Sequence, residues 1–241
     1  MELIRGLHNL KPHHRGSVAT IGNFDGVHLG HQAVLGQLAE KGAELCLPTV
    51  VITFEPLSRE YFAPESAPPR LTRFREKAKA MQRYSVDQML VLPFNRKLAG
   101  LSAEAFIQQV LVEGLGVRYL VVGDDFHFGT GRQGDFAMLQ KAGRDYGFDV
   151  VNMHTLSLNG DRVSSTRIRE ALQKGDPGKA EQLLGRPYRM CGRVVHGDQR
   201  GRSIGFPTAN IKMHRIVAPV EGVFAVEMFG LKGEPVPGVA N

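Results

Sequence analysis

Short apolar runs alternate with segments of helical period through the first 155 residues, and that alternation restricts this part of the chain to a parallel sheet covered by helices. Ser17–Ile21, residues 45–54 around Val50, Val51 and Ile52, residues 88–92, residues 119–122 and Asp149–Met153 read as strands. Nearly continuous apolar runs suit strands buried on both faces. Residues 30–41, a charged segment from Thr72 to about Tyr84, a segment opening at Ser102 and residues 135–146 read as helices, with Thr72 and Ser102 placed as N-caps. The third helix carries Phe106, Ile107, Val110 and Leu111 at helical spacing. In such α/β folds ligands sit beyond the carboxyl ends of the strands. Four candidate motifs are expected there, GNFDGVHLGH (22–31), TFEP (53–56), GDDFHFG (123–129) and SSTRIRE (164–170), so four loops point to one rim.

Near residue 186 the pattern changes to short β-branched and aromatic runs, 190–196 and 223–229, separated by glycine-rich turns. The expectation is a two-part chain: residues 1–185 form a Rossmann-like α/β domain, and residues 186–241 form the start of an all-β unit. That second stretch is short for an independent domain, and Asn241 falls within what reads as a strand, as in a fragment of a longer chain.

No run reaches the roughly 18 apolar residues that span a bilayer, and residues 1–16 lack the apolar stretch of a signal peptide. A cytoplasmic protein without a membrane partner is expected. The net charge of +6 is spread unevenly, +2 over residues 1–185 and +4 over residues 186–241. This excess suits anionic ligands, but no block of like charge or aromatic interleaving marks a nucleic-acid surface. Cys46 and Cys191 form no metal or disulfide spacing and read as small core residues.

A strand, a glycine-rich turn and a helix start present backbone N–H groups and the positive end of a helix dipole, a setting that suits phosphate. In the segment 22–31, His28 and His31 are three residues apart, so both rings can share a side if the helix starts near Leu29. Gly30 lets phosphate approach the backbone. Imidazoles there can hydrogen-bond oxygens on which charge develops in phosphoryl chemistry. Two polar residues at a helix end would also produce this spacing. Likewise Ser164, Ser165 and Thr166 can be an ordinary cap, and capping and phosphate binding are compatible.

GNFDGVHLGH and SSTRIRE resemble the two signatures of the cytidylyltransferase-like nucleotidyltransferases. The resemblance implies that His28 and His31 stabilise attack on the α-phosphate of ATP, with Gly22, Asn23, Phe24, Asp25, Gly30, Ser165 and Thr166 around the phosphates and Arg169 forked onto the β- and γ-phosphates. Arg167 holds the variable position of the second signature. The loops at 53–56 and 123–129 resemble the flavin-site segments of the bacterial FAD synthetase family, which joins FMN adenylyltransferase to riboflavin kinase. Phe54, Phe126 and Phe128 then wall an isoalloxazine ring and Asp124 meets polar groups of adenosine or flavin, although each ring alone also reads as core packing.

Gly192, Gly197, Gly201 and Gly205, ending in GFPTAN (205–210), resemble the signature of the riboflavin kinase β-barrel. This implies a second ATP site, with Thr208 and Asn210 as oxygen ligands for Mg²⁺. In that family the base glutamate and closing strands follow the position equivalent to 241, and Glu221 and Glu227 come too early to serve. A competent adenylyltransferase with an incomplete kinase is expected. Its implied substrates are ATP, FMN and riboflavin, its partners are small-molecule nucleotides and flavins, and its assembly is at most a weak homo-oligomer. Two other readings stay open: adenylyl transfer to another phosphorylated acceptor, and a non-catalytic flavin-binding protein.

Two motifs mislead. Gly129, Gly131 and Gly134 spell a dinucleotide fingerprint but begin too far after their strand, so they read as a mobile substrate loop. Gly178 and Lys179 precede Ala180, which excludes a Walker A motif, and read as a connection between helices.

Overall fold

The computed structural model describes every residue except 154, 155, 159, 198–204, 206, 207, 214, 216 and 232. The chain divides into two compact units, Met1–Pro68 with Thr72–Ser164, and Pro69–Leu71 with Ser165–Asn241.

The first unit is built on strands β1 (Glu2–Arg5), β2 (Ser17–Ile21), β3 (Thr49–Glu55), β4 (Gln88–Pro93), β5 (Val117–Gly123) and β6 (Asp149–Met153). They form one parallel sheet in the order β1-β4-β3-β2-β5-β6. The five expected strands are present. The sixth, β1, escaped the sequence because a four-residue run shows no usable period, and it is specified by its partner β4, with Leu3 opposite Met89 and Ile4 opposite Leu90.

Side-chain alternation explains the continuous apolar runs. Ala19, Ile21, Val50, Ile52, Leu120 and Val122 face one core with Phe106, Ile107, Val110 and Leu111. Val18, Val51 and Val121 face the other, with Leu35 and Leu38 of the helix Leu29–Leu45. That helix ends where Cys46 adopts a left-handed φ of 52°. Cys46 and Cys191 are both exposed, which corrects their placement in the core. The expected cap on the charged helix is also corrected. Phe74–Met81 starts from Arg73, whose N–H donates to Glu76, and Thr72 is engaged elsewhere.

The chain leaves β2 toward β3 on one side and later returns to β5 on the other, so strand order reverses between β2 and β5. Loops at the carboxyl ends of these two strands flank the crevice where doubly wound sheets hold ligands.

The second unit contains the helices Ser165–Gln173 and Pro177–Leu184, whose Ile168, Ala171, Leu172, Ala180, Leu183 and Leu184 are buried. Gly178 and Lys179 lie in the first turn of the latter helix, capped by Asp176, rather than in a connection. Before this unit, β7 (Ser157–Leu158) and β8 (Asp161–Arg162) make a small antiparallel pair that the sequence did not reveal. Downstream, β9 (Arg193–Val195) pairs antiparallel with β10 (Asn210–Lys212), and β11 (Phe224–Met228) with β12 (Val236–Ala240).

Leu35 is fully buried against β2, β3 and β5 side chains. Leu35→Ala should lower the unfolding free energy by about 3 kcal/mol, read from denaturant titration of the whole chain.

Candidate active site

Between β2 and the helix Leu29–Leu45 the backbone takes three positive φ values, 49° at Phe24, 88° at Gly26 and 45° at Val27. A β-branched residue in that region is strained by roughly 1–3 kcal/mol and persists only where its surroundings impose it. Here Asp25 and Thr72, 3% and 8% exposed, supply the constraint. Asp25 Oδ1 accepts from Thr72 N at 2.8 Å and from Thr72 Oγ1 at 3.1 Å, while Gly26 N donates to Thr72 Oγ1 at 3.0 Å. Phe24 packs its ring into the core beside Val27 and Leu35. Phe24 and Asp25 are thus buried supports of the turn, whereas Asn23 is exposed on it.

This turn delivers His28 to the N-cap of the helix, where its Nδ1 accepts from His31 N at 3.3 Å. The His28 and His31 rings stack with centroids 3.6 Å apart and planes at 17°. Gly30 makes room for this stack, because a Cβ there would lie 3.2 Å from His28 Cε1 and Nδ1. Burial above all, then the neighbouring His28 and Lys77, hold the His31 imidazole well below its ordinary value. His31 Nδ1 is buried without a hydrogen-bond partner.

Lys77 is a residue the sequence reading passed over. It is 1% exposed, and its Nζ donates to Thr53 Oγ1 at 3.4 Å. The signal was its position four residues before buried Met81, on the face of the helix Phe74–Met81 that packs inward.

At the end of β3, Phe54 is half-buried and meets Phe94 edge to face at 5.7 Å. Phe94 in turn touches Tyr61 and Phe62, each at 5.5 Å. Phe62 is 66% exposed, so an aromatic group with an open side continues from Phe54. Only Phe54 was singled out in the sequence, because Tyr61, Phe62 and Phe94 lie in segments without a motif.

After β5, half-buried Phe126 stacks on Phe128 at 5.5 Å and 14°. Phe128 is 7% exposed and belongs to the core with Phe106, while Asp124 is exposed. The glycines downstream serve this packing, since a Cβ at Gly134 would come within 2.7 Å of the Phe128 ring and one at Gly129 within 2.6 Å of Ala103 N. The segment expected as a substrate loop carries reciprocal Phe128 and Gly134 backbone bonds and a bond from Thr130 to Leu101 O.

In the second unit, Ser165 opens its helix and Thr166 follows it exposed. Arg169 Nε donates to Pro69 O at 2.7 Å, which orients the guanidinium plane. Gly192 and Gly197 flank β9, and a Cβ at either would overlap the partner strand, at Ile211 and Asn210 respectively. The clash at Gly192 includes the Lys212 backbone, so the absent side chain there permits the β9 and β10 pairing, whereas the clash at Gly197 is with the end of the Asn210 side chain. Gly205 has a φ of 81°, and Gly201 lies outside the described residues, as do Phe206 and Pro207 of the same run.

Thr208 and Asn210 are exposed and offer a hydroxyl and an amide oxygen, a donor set that fits Mg²⁺. Among the described residues, His and carboxylate groups gather only at Glu2, His13 and His14. There His14 Nδ1 accepts from Lys11 N at 2.9 Å, which leaves the ring proton on Nε2, directed at Glu2 Oε1 at 3.2 Å. A ring nitrogen occupied in that way is a donor to the carboxylate and not a metal ligand.

Residues 10–167 match the family model of FAD synthetase, and residues 184–241 match that of riboflavin kinase. The chain is 53% identical to the Escherichia coli (strain K12) protein named bifunctional riboflavin kinase/FMN adenylyltransferase, over 100% of this chain and 77% of that protein. The Pseudomonas fluorescens protein of the same name is 53% identical over the same shares, and that of Haemophilus influenzae 52% identical over 100% and 78%. A solved structure titled macrolide-efflux protein from Streptococcus pneumoniae aligns with a TM-score of 0.80 and 29% identity, over 94% of this chain and 74% of that one. No helix among the described residues is long and apolar enough to cross a membrane. With both family models matched in order and half of all residues shared along its whole length, the chain belongs to the bifunctional riboflavin kinase/FMN adenylyltransferase family.

Proposed function

We propose that the chain transfers the adenylyl group of ATP to FMN, forming FAD and pyrophosphate, at the turn that carries His28 and His31. The observation that carries this reading is the stacked imidazole pair at the N-terminus of a 17-residue helix. An FMN phosphate oxygen attacks the α-phosphorus of ATP, the bond from that phosphorus to the bridging oxygen breaks, and pyrophosphate leaves. Negative charge grows on the α-phosphate oxygens and the departing group. Imidazole N–H groups and the positive helix end stabilise it, with the His31 ring kept neutral by its burial. The partnerless Nδ1 of His31 supports the same reading, since a buried polar atom left unpaired costs about 1–3 kcal/mol and calls for an explanation such as a ligand.

Gly22 and Asn23 line the phosphates beside this pair, with Phe24, Asp25 and Gly30 shaping the turn. Ser165 and Thr166 offer a second helix N-terminus, and Arg169, its Nε tied to Pro69 O, forks onto the β- and γ-phosphates. Phe54 and Phe126 face the isoalloxazine ring, Phe128 backs Phe126, and Asp124 meets a polar group of the nucleotide or flavin. We assign residues 1–185 to this reaction and residues 186–241 to the phosphorylation of riboflavin by ATP. Gly192, Gly197, Gly201 and Gly205 would surround that second ATP. Thr208 and Asn210 would hold Mg²⁺, which when bound offsets phosphate charge. The protein works in the cytoplasm on small-molecule nucleotides and flavins, with no nucleic-acid or membrane partner and at most weak self-association.

Protein with FMN and MgATP should yield FAD and pyrophosphate in equal amounts, while nicotinamide mononucleotide or phosphopantetheine in place of FMN should yield no pyrophosphate. Release of pyrophosphate with either of those acceptors, or none with FMN, overturns the assignment. His28→Ala should lower kcat by about a hundredfold or more with little change in the KM for FMN, the signature of a contact made in the transition state.

The depressed His31 value carries a sign. An unfolded chain takes up the proton at about pH 6.5 while the folded ring stays neutral, so stability falls as pH drops through that value. In ¹⁵N NMR the His31 ring should show no titration step near that pH, and His31→Gln should flatten the acid side of the stability profile.

A further inference from the structure

Three elements of the first unit leave one apolar core at its polar end. Val51, Leu35 and Met81 pack together on one side of the sheet. Thr53 stands two residues beyond Val51 on the same face of β3, and His31 and Lys77 stand one turn before Leu35 and Met81 on their helices. Thr53 is fully buried and Lys77 is 1% exposed, and the bond from Nζ to Oγ1 at 3.4 Å joins them. The His31 ring meets the rings of His28 and Phe24 at 3.6 and 5.0 Å between centroids, while its Nδ1 is buried without a hydrogen-bond partner. Lys77 is near enough for its charge to act on that ring.

An ammonium taken out of water is costly to keep even with hydrogen-bond partners, and an apolar residue of the same length would fill the space at less cost. Lysine is for that reason seldom buried completely. At the carboxyl end of β3, beside an unpaired imidazole nitrogen, the charge has a use once an anion arrives. The anion gives the ammonium an opposite charge in surroundings of low dielectric constant, where attraction is strong. We propose that Lys77 is a positioning residue for adenylyl transfer, its buried ammonium, tethered to Thr53, setting a fixed positive charge beside His31. The charge has two effects. It opposes a second proton on the ring, so that His31 meets phosphate as a neutral N–H donor, and it lowers the energy of the negative charge that grows there as pyrophosphate departs. The proposal rests on reading the turn that carries His28 and His31 as the adenylyl-transfer site.

The test uses the whole chain with Lys77→Met, which keeps the length of the side chain and removes its charge, and with Thr53→Val, which removes the hydroxyl that tethers it. It reads FAD formation from FMN and MgATP together with the ring ¹⁵N signals of His31 as the pH is lowered. Lys77→Met should lower kcat by about thirtyfold, with KM for FMN and ATP within about threefold, because the charge acts on the transition state more than on bound substrate. In that variant the His31 ring should take up its proton at a higher pH than in the parent chain, a change that loss of packing alone would not produce. Thr53→Val should lower kcat by about threefold, since a loosened ammonium is placed less well against the reacting group. Should Lys77→Met fail to fold, Thr53→Val decides alone. A kcat equal to that of the parent in either folded variant overturns the proposal, as does an unmoved His31 titration in Lys77→Met. If the parent chain forms no FAD, the adenylyl-transfer reading has failed, and the His31 titration still decides whether Lys77 places its charge beside that ring.

Discussion

A single buried carboxylate organises the site. Asp25 takes two hydrogen bonds from Thr72, and Thr72 in turn takes the Gly26 amide, so three bonds join a loop after β2 to a residue 47 positions later. These bonds offset the strain of placing Phe24 and Val27 at positive φ. Without that backbone path the chain would leave β2 extended, and His28 would not arrive as the cap of the following helix. Fixing the cap then fixes the ring stack, because His28 Nδ1 is engaged by His31 N and Gly30 leaves the space the ring needs.

The arrangement divides labour between buried and exposed residues of one motif. Phe24, Asp25, Val27 and His28 are buried and set the geometry, while Asn23 is exposed. The same division recurs after β5, where buried Phe128 supports half-buried Phe126 and glycines admit the packing. A motif read as a row of ligand contacts is, in three dimensions, largely a buried platform with few exposed residues.

The sheet was legible because its strands are apolar on both faces, and the turn with its histidine pair because glycine, histidine and a helix start stand out in their spacing. The roles of Thr72 and Lys77 were not. Thr72 stands before a charged helical segment and so imitates a cap, and only its distant partner Asp25 distinguishes the two roles. Phe94, Tyr61 and Phe62 share that difficulty, since their cluster with Phe54 is assembled by the ends of β3 and β4 and a short intervening helix, with no motif in any of them. In the second unit the glycines were read as phosphate contacts, and the structure adds that a side chain at Gly192 would collide with the β10 backbone at Lys212. A four-residue strand such as β1 is defined by pairing and not by any period of its own.

The central claim is that the lock between Asp25 and Thr72 holds the histidine pair in its working position. Thr72→Val keeps the shape of the side chain and deletes two of the three bonds. The most direct measurement is its kcat for FAD formation from FMN and MgATP, taken beside the far-ultraviolet circular dichroism of the folded chain. A fall of tenfold or so with the spectrum unchanged is the predicted result. A kcat equal to that of the parent chain would contradict the account.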